Sequence, residues 1–348
     1  MRVLRFIWVV GAVALASALV WWVGQANRST VTSVGSSTES AETLSGGRDS
    51  GRAAGGDHLM NGAPSLPARL SDRVQLIVAS DVGTALSARI RAVHDLGPDL
   101  THSESAALAD YLRTHSLAEA LRRDGENWLR NDILDKLEGQ HTLPIGLVDL
   151  LVGIYQDRQQ DVVMRDYAVQ HIPPVYKKLS DQERVVLHTM LWQATDETDS
   201  TIAGTALLAL LRISGTAEDV ISRLPIAALS TSDRRSAGPS RPTPEIDLAR
   251  LEATALRLAS DKHCGELSQL TALSLCGRLR VAKALPLVTD VAQHGTDVSL
   301  RLAAIAALGD LGGPATVELL EELSLGTETR VRVAATSALE RLKKRVGI

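Results

Sequence analysis

Aromatic side chains are scarce: they make up 3% of the 348 residues, with a single phenylalanine. Four of the ten precede residue 25, which leaves Tyr111, Trp128, Tyr155, Tyr167, Tyr176 and Trp192 for everything that follows. Neither sign of charge dominates, and a formal net charge of -4 gives no global field for nucleic acid. No Gly-x-Ser-x-Gly elbow, phosphate loop or dinucleotide fingerprint occurs. The nine histidines (His58, His94, His102, His115, His141, His171, His188, His263 and His294) are scattered, and no two are spaced to hold one ion from a single helix. Catalytic, cofactor-binding and metal-binding residues are therefore not assigned, and no small-molecule substrate is evident.

Cysteine is nearly absent too. Cys264 and Cys276 invite a disulfide in an oxidising compartment. A helix over 266–276 argues against it, because at 1.5 Å per residue the thiols would lie about 15 Å apart, beyond bridging range. Cys276 reads better as a small core residue, and His263 beside Cys264 reads as part of a polar loop.

What is present is repetition. SLRLAAIAALGDLGG at 299–313 recurs as RVRVAATSALERLKK at 330–344, placing Arg301 on Arg332, Ala304 on Ala335 and Leu308 on Leu339. A unit of 31 residues cannot bury its apolar face alone, so copies must stack around a shared core. Leu300, Ala304, Ala307, Leu308 and Leu311 form one helical stripe, and the alanines let a neighbouring helix approach closely. Gly312, Gly313 and Pro314 end that helix and open a second, roughly 315–324, with Val317, Leu319, Leu320 and Leu323 inward. The expected unit is a helical hairpin.

These residues resemble HEAT repeats, in particular the short HEAT-like type of phycobilisome lyases, whose first helix runs Val-Arg, Ala-Ala, Ala-Leu-Gly, Leu-Gly. The resemblance implies an α-solenoid used for protein contacts and transfers no reaction. No histidine here is followed by glutamate, so the His-Glu pairs of HEAT-repeat hydroxylases are missing. Looser copies lie at 88–100, 127–139, 164–176 and 202–213, with anchors Leu96, Leu137, Ile172 and Leu210, and one at 267–288, a step of 32 from the next copy, puts Cys276 in the place of Leu308. Thr101 with Glu104 and Ser180 with Glu183 predict capping boxes, and Pro173-Pro174 a turn. Helix 245–259 does not fit the repeat register.

Ahead of the repeats, Phe6–Val23 runs apolar without a charge; eighteen residues span about 27 Å, enough for a bilayer core. Arg2 and Arg5 place the N-terminus in the cytoplasm, and Trp8, Trp21 and Trp22 suit the interfaces. The alternative is a cleaved signal peptide, with cleavage at Ala16-Ser17-Ala18 or Gly24-Gln25-Ala26. Residues 25–67, rich in Gly, Ser and Thr, read as a disordered tether, and 230–244 as a loop interrupting the repeats.

The organisation expected is thus a signal anchor or signal peptide (1–24), a linker (25–67) and an all-α solenoid of six or seven HEAT-like hairpins (68–348). The chain is expected to be a single-pass membrane protein with its C-terminal domain exported, to the periplasmic side if bacterial, or else secreted or periplasmic after cleavage. The function expected is non-enzymatic protein binding or scaffolding, the partner another protein and not nucleic acid. The alternative is a cofactor-handling or lyase-like enzyme of the HEAT-like family. The basic final helix, with Arg330, Arg332, Arg341, Lys343, Lys344 and Arg345, reads as the polar face of a terminal cap.

Overall fold

The computed structural model describes residues 70–79, 84–114, 126–198, 200–215 and 246–347. The expected anchor or signal helix, the tether and the loop at 230–244 lie outside the described residues. Among the described residues there is no strand, and no helix is long and apolar enough to cross a membrane.

The helices come in pairs. These are α1 (Asp72–Val78) with α2 (Leu86–His94), α3 (His102–Thr114) with α4 (Glu126–Glu138), and α5 (Leu147–Gln156) with α6 (Val162–Gln170). After the one-turn α7 (Ile172–Tyr176) come α8 (Asp181–Ala194) with α9 (Ile202–Ile213), and α10 (Leu248–Ser260) with α11 (Glu266–Arg278). The last pairs are α12 (Leu285–His294) with α13 (Val298–Leu311) and α14 (Val317–Leu325) with α15 (Thr329–Val346). The second members of all seven pairs pack on one another in succession as a front layer; the first members form a back layer, in which α1, α3, α5 and α8 stack likewise.

The copies therefore lie where the sequence places them, but the hairpin has the other phase. Each back helix packs more on the front helix that follows it than on the one before it, so α14 lies chiefly against α15 rather than α13. Both connections are short, and an apolar stripe specifies a helix's buried face without specifying its partner. The same phase explains helix 245–259: α10 is an ordinary back helix packed on α11, and it lacks the front-helix pattern because it is not a front helix. Local punctuation matches expectation at the caps. Thr101 and Glu104 bond reciprocally through backbone N–H groups at 3.0 and 3.2 Å, and Ser180 and Glu183 form a full capping box. Pro173 and Pro174, expected to form a turn, instead open the one-turn helix α7, and the turn falls just before them at His171.

A polar ladder runs through the interface of the two layers. Seven residues before each anchor stand Arg89, Arg130, Arg165, Ala203, Gln269, Arg301 and Arg332. Five of these reach back to a carbonyl near the C-terminus of the preceding back helix: Arg89 to Ile77, Arg130 to Leu112, Arg165 to Tyr155, Gln269 to Ala259 and Arg301 to Ala292. Arg332 reaches the carbonyl of Gly326 just past α14. Such carbonyls have no partner within their own helix, and a guanidinium supplies the missing donors. Ala203 cannot, and there Arg257 of α10 donates instead to the carbonyl of Thr195 at the end of α8.

The same arginines reach forward to the start of the next front helix. Arg89 meets Glu126 at 3.4 Å, Arg165 holds Glu197 through two contacts of 2.6 and 2.7 Å, and Arg301 meets Glu328 at 2.8 Å. Arg130 has a neutral partner, Gln160, at 2.9 Å. Two rungs add a tyrosine: the Tyr111 hydroxyl donates to Glu126, while Tyr155 bonds Glu197, and each ring lies beside its arginine at 5.1 and 5.3 Å.

Toward the C-terminus small residues bring the front helices close. A Cβ on Gly204, Gly277 or Gly309 would come within 2.9, 2.7 and 2.9 Å of the backbone of Ser268, Ala307 and Ala338 respectively. Cys276 is fully buried in the slot that Leu308 fills one repeat later. Two predictions follow from these contacts. Glu197→Ala leaves the Arg165 cation buried and unpaired and should destabilise by about 3–5 kcal/mol, whereas Arg158→Ala, removing the exposed arginine on the same carboxylate, should cost less than about 1 kcal/mol; denaturant melts check both. Gly277→Val should cost about 1–3 kcal/mol by overpacking against Ala307, read the same way.

Candidate functional site

The ladder sets the register of the front layer, and that register places an unusual stripe on α4. Trp128, Asn131, Asp132, Asp135 and Glu138 recur at helical spacing on the side away from the fully buried Leu129, Ile133, Leu134 and Leu137. Trp128 is 61% exposed, at the head of the stripe. One helix over, Val163 holds the register position of Trp128, two residues before its own ladder arginine, and Val162 and Val163 are 45% and 40% exposed. Asn127 donates to Asp161 at 2.7 Å, so the N-terminal ends of α4 and α6 are joined at this point.

The lower half of the stripe is polar. Asp132 meets His94 of α2 at 3.0 Å. Glu138 meets Nδ1 of His171, the residue that caps α6, at 2.7 Å, and Asp135 lies 3.7 Å from the same nitrogen. Nε2 of His171 is 3.1 Å from Oδ1 of Asn131. The His171 side chain is only 7% exposed, against 58% for Asp135. Partial desolvation lifts the Asp135 carboxyl above the ordinary carboxylate range; His171 opposes the rise, and the like charges of Glu138 and Asp132 add to it.

The other residues considered from sequence are accounted for by packing. Tyr111, Tyr155, Tyr176 and Trp192 are buried and Tyr167 is half-buried, so of the six aromatics only Trp128 is offered to solvent. Cys264 and Cys276 are buried and free, and burial pushes the Cys276 thiol up to about 12. In α15, Arg341 pairs with Asp310, Lys343 pairs with Glu321, and Arg345 donates to the carbonyls of Gly309 and Gly312. These basic residues cap and pin α13 and α14. His58 and His115 lie outside the described residues.

Residues 254–340 match the family model of HEAT repeats. The match covers the copies from α10 to α15, which are HEAT repeats by this comparison; the phycobilisome-lyase type has no such support. A comparison with curated proteins finds no match. Among solved structures, human deoxyhypusine hydroxylase in complex with glycerol is 20% identical, over 78% of this chain and 94% of that one, with a TM-score of 0.30. At that score the likeness carries nothing about fold or activity.

One buried acid in the front layer generates a pH prediction. Asp166 of α6 accepts from Thr201 at 2.9 Å and Gln170 at 3.2 Å on Oδ2, and Thr205 is a further donor to the carboxyl. Burial pushes its carboxyl above the ordinary range against the pull of these hydrogen bonds. The native chain then keeps a proton that the unfolded chain releases near pH 3.9, so Asp166 weakens stability as pH rises through its native value. Asp166→Asn should remove that slope: thermal melts should favour the variant more at pH 7.5 than at pH 4.

Proposed function

We propose that the repeat region is a non-catalytic protein-binding scaffold that docks its partner on the front layer around Trp128. The observation that carries this reading is the exposure of a tryptophan, in a chain with so few aromatics, at the same register level as exposed Val163. An amphipathic ring of that size held on a rigid helix is the kind of residue that dominates interface energies. The carboxylates of Asp132 and Asp135 further down the stripe favour a partner that sets a cation beside an apolar side chain.

In the same proposal the partner is another exported or membrane protein, and the N-terminal segment holds the chain at the membrane while residues 25–67 give it reach. The test is site-specific photocrosslinking of the full-length chain in intact membranes, with the mature N-terminus read by mass spectrometry. A crosslinker at position 128 should give a discrete adduct, and one at the distant, 85% exposed Leu325 should not. With a crosslinker at position 163, Trp128→Ala should weaken capture by about 30-fold, the loss of a hot-spot side chain of about 2 kcal/mol. Equal adducts from 128 and 325, or none from either, would sink the assignment of this face.

A further inference from the structure

The polar half of the α4 stripe carries chemistry that protein docking does not require. Asp135 and Glu138 are three residues apart in the last turn of α4, and His171 is the C-cap of α6. One ligand atom from each lies within 4.8 Å of the other two. Two anionic groups at a helix C-terminus stand at the wrong end of the macrodipole, since the last carbonyls already concentrate negative charge there. Lys178 answers part of it by donating to the carbonyls of Glu138 and Gln140. Lys136 turns away, to the carbonyls of His94 and Leu96.

The imidazole supplies the third ligand atom. Its ring is more than nine-tenths buried and aimed at the two carboxylates. Nε2 of the ring bonds Asn131 at 3.1 Å, which holds the ring's orientation and turns Nδ1 toward the carboxylates. Nδ1 faces Glu138 at 2.7 Å and Asp135 at 3.7 Å. Three ligand atoms converge on one point, where either the Nδ1 proton of an imidazolium or a metal ion that displaces it can answer the two carboxylates.

We propose that Asp135, Glu138 and His171 form a site for a divalent transition-metal cation, with zinc the best fit. One imidazole nitrogen and two carboxylate oxygens are a zinc-type donor set, too nitrogen-rich for calcium or magnesium. Bond lengths of about 2.0–2.2 Å need ligand atoms separated by about 3.0–3.5 Å; His171 Nδ1 stands 2.7 Å from Glu138 and 3.7 Å from Asp135, on either side of that range, and the exposed Asp135 carboxylate is free to move to complete the shell. Asp135 is exposed, so the remaining coordination position faces solvent and is open to water or to a side chain brought by a partner. The site joins neighbouring front helices and is independent of whether Trp128 binds anything.

The test is equilibrium dialysis of the full-length chain in detergent, stripped with chelator, against zinc chloride with bound metal quantified, and against magnesium chloride in parallel. One zinc equivalent per chain should bind, magnesium should not compete, and Glu138→Gln, His171→Gln and Asp135→Asn should each weaken that equivalent at least tenfold. Asp132→Asn, one turn away on the same stripe, should leave it unchanged. Asp135→Asn replaces an exposed group isosterically, so the comparison holds even where His171→Gln fails to fold. Absence of a zinc equivalent in the wild-type chain, its retention in Glu138→Gln and Asp135→Asn, or its loss only in Asp132→Asn would each overturn the assignment.

Discussion

The buried guanidinium between layers is the constraint on which the rest of the structure depends. Arg89, Arg130 and Arg165 are almost completely buried, and a cation taken from water at such depth must find donors' partners on every side or it destabilises the fold. Each of the three finds a back-helix carbonyl behind it and a side chain of the next repeat in front of it. The arginine therefore fixes three things together: the end of the back helix, the start of the next front helix and the offset between repeats. Apolar stacking alone is non-directional and would tolerate sliding. The imperfect rung is informative as well, for Arg130 faces neutral Gln160, and its Nε and Nη1 have no partner.

From that offset follows the composition of the front face. With Arg130 and Arg165 locked at equivalent depth, α4 and α6 lie side by side, Trp128 and Val163 come level, and the last turn of α4 meets the C-cap of α6. The exposed apolar residues and the Asp135, Glu138 and His171 cluster are thus two ends of one helix pair. The proposed docking and the proposed metal binding would be separate chemistries there, but a cation at the lower end would stiffen the pair that presents the upper end.

Much of the fold was legible beforehand because it rests on local signals. The helical stripe over 299–313, the capping boxes at Thr101 and Ser180, the prolines that open α7 and the leucine slot occupied by Cys276 are all written within one turn or one repeat of sequence. The ladder was half legible. Arg301 over Arg332 is visible in the two regular copies, but Arg89, Arg130 and Arg165 follow only once the anchors at Leu96, Leu137 and Ile172 are counted back seven residues. The candidate cation site left no such trace, since Asp135 and Glu138 look like solvated helix residues and His171 comes from the following repeat.

The sequence by itself determined the helical class, the positions of the copies, the residues of their apolar stripes and the resemblance to HEAT repeats, because periodicity, capping and small-residue patterns act over a few residues at a time. Only the tertiary structure decided which helix pairs with which, that α10 is a regular back helix, that Trp128 faces water while four other aromatics are buried, and that two carboxylates and a histidine converge. Those are matters of which faces meet across tens of residues. A hydrophobic stripe states that a face is buried, and only its packing partner states against what.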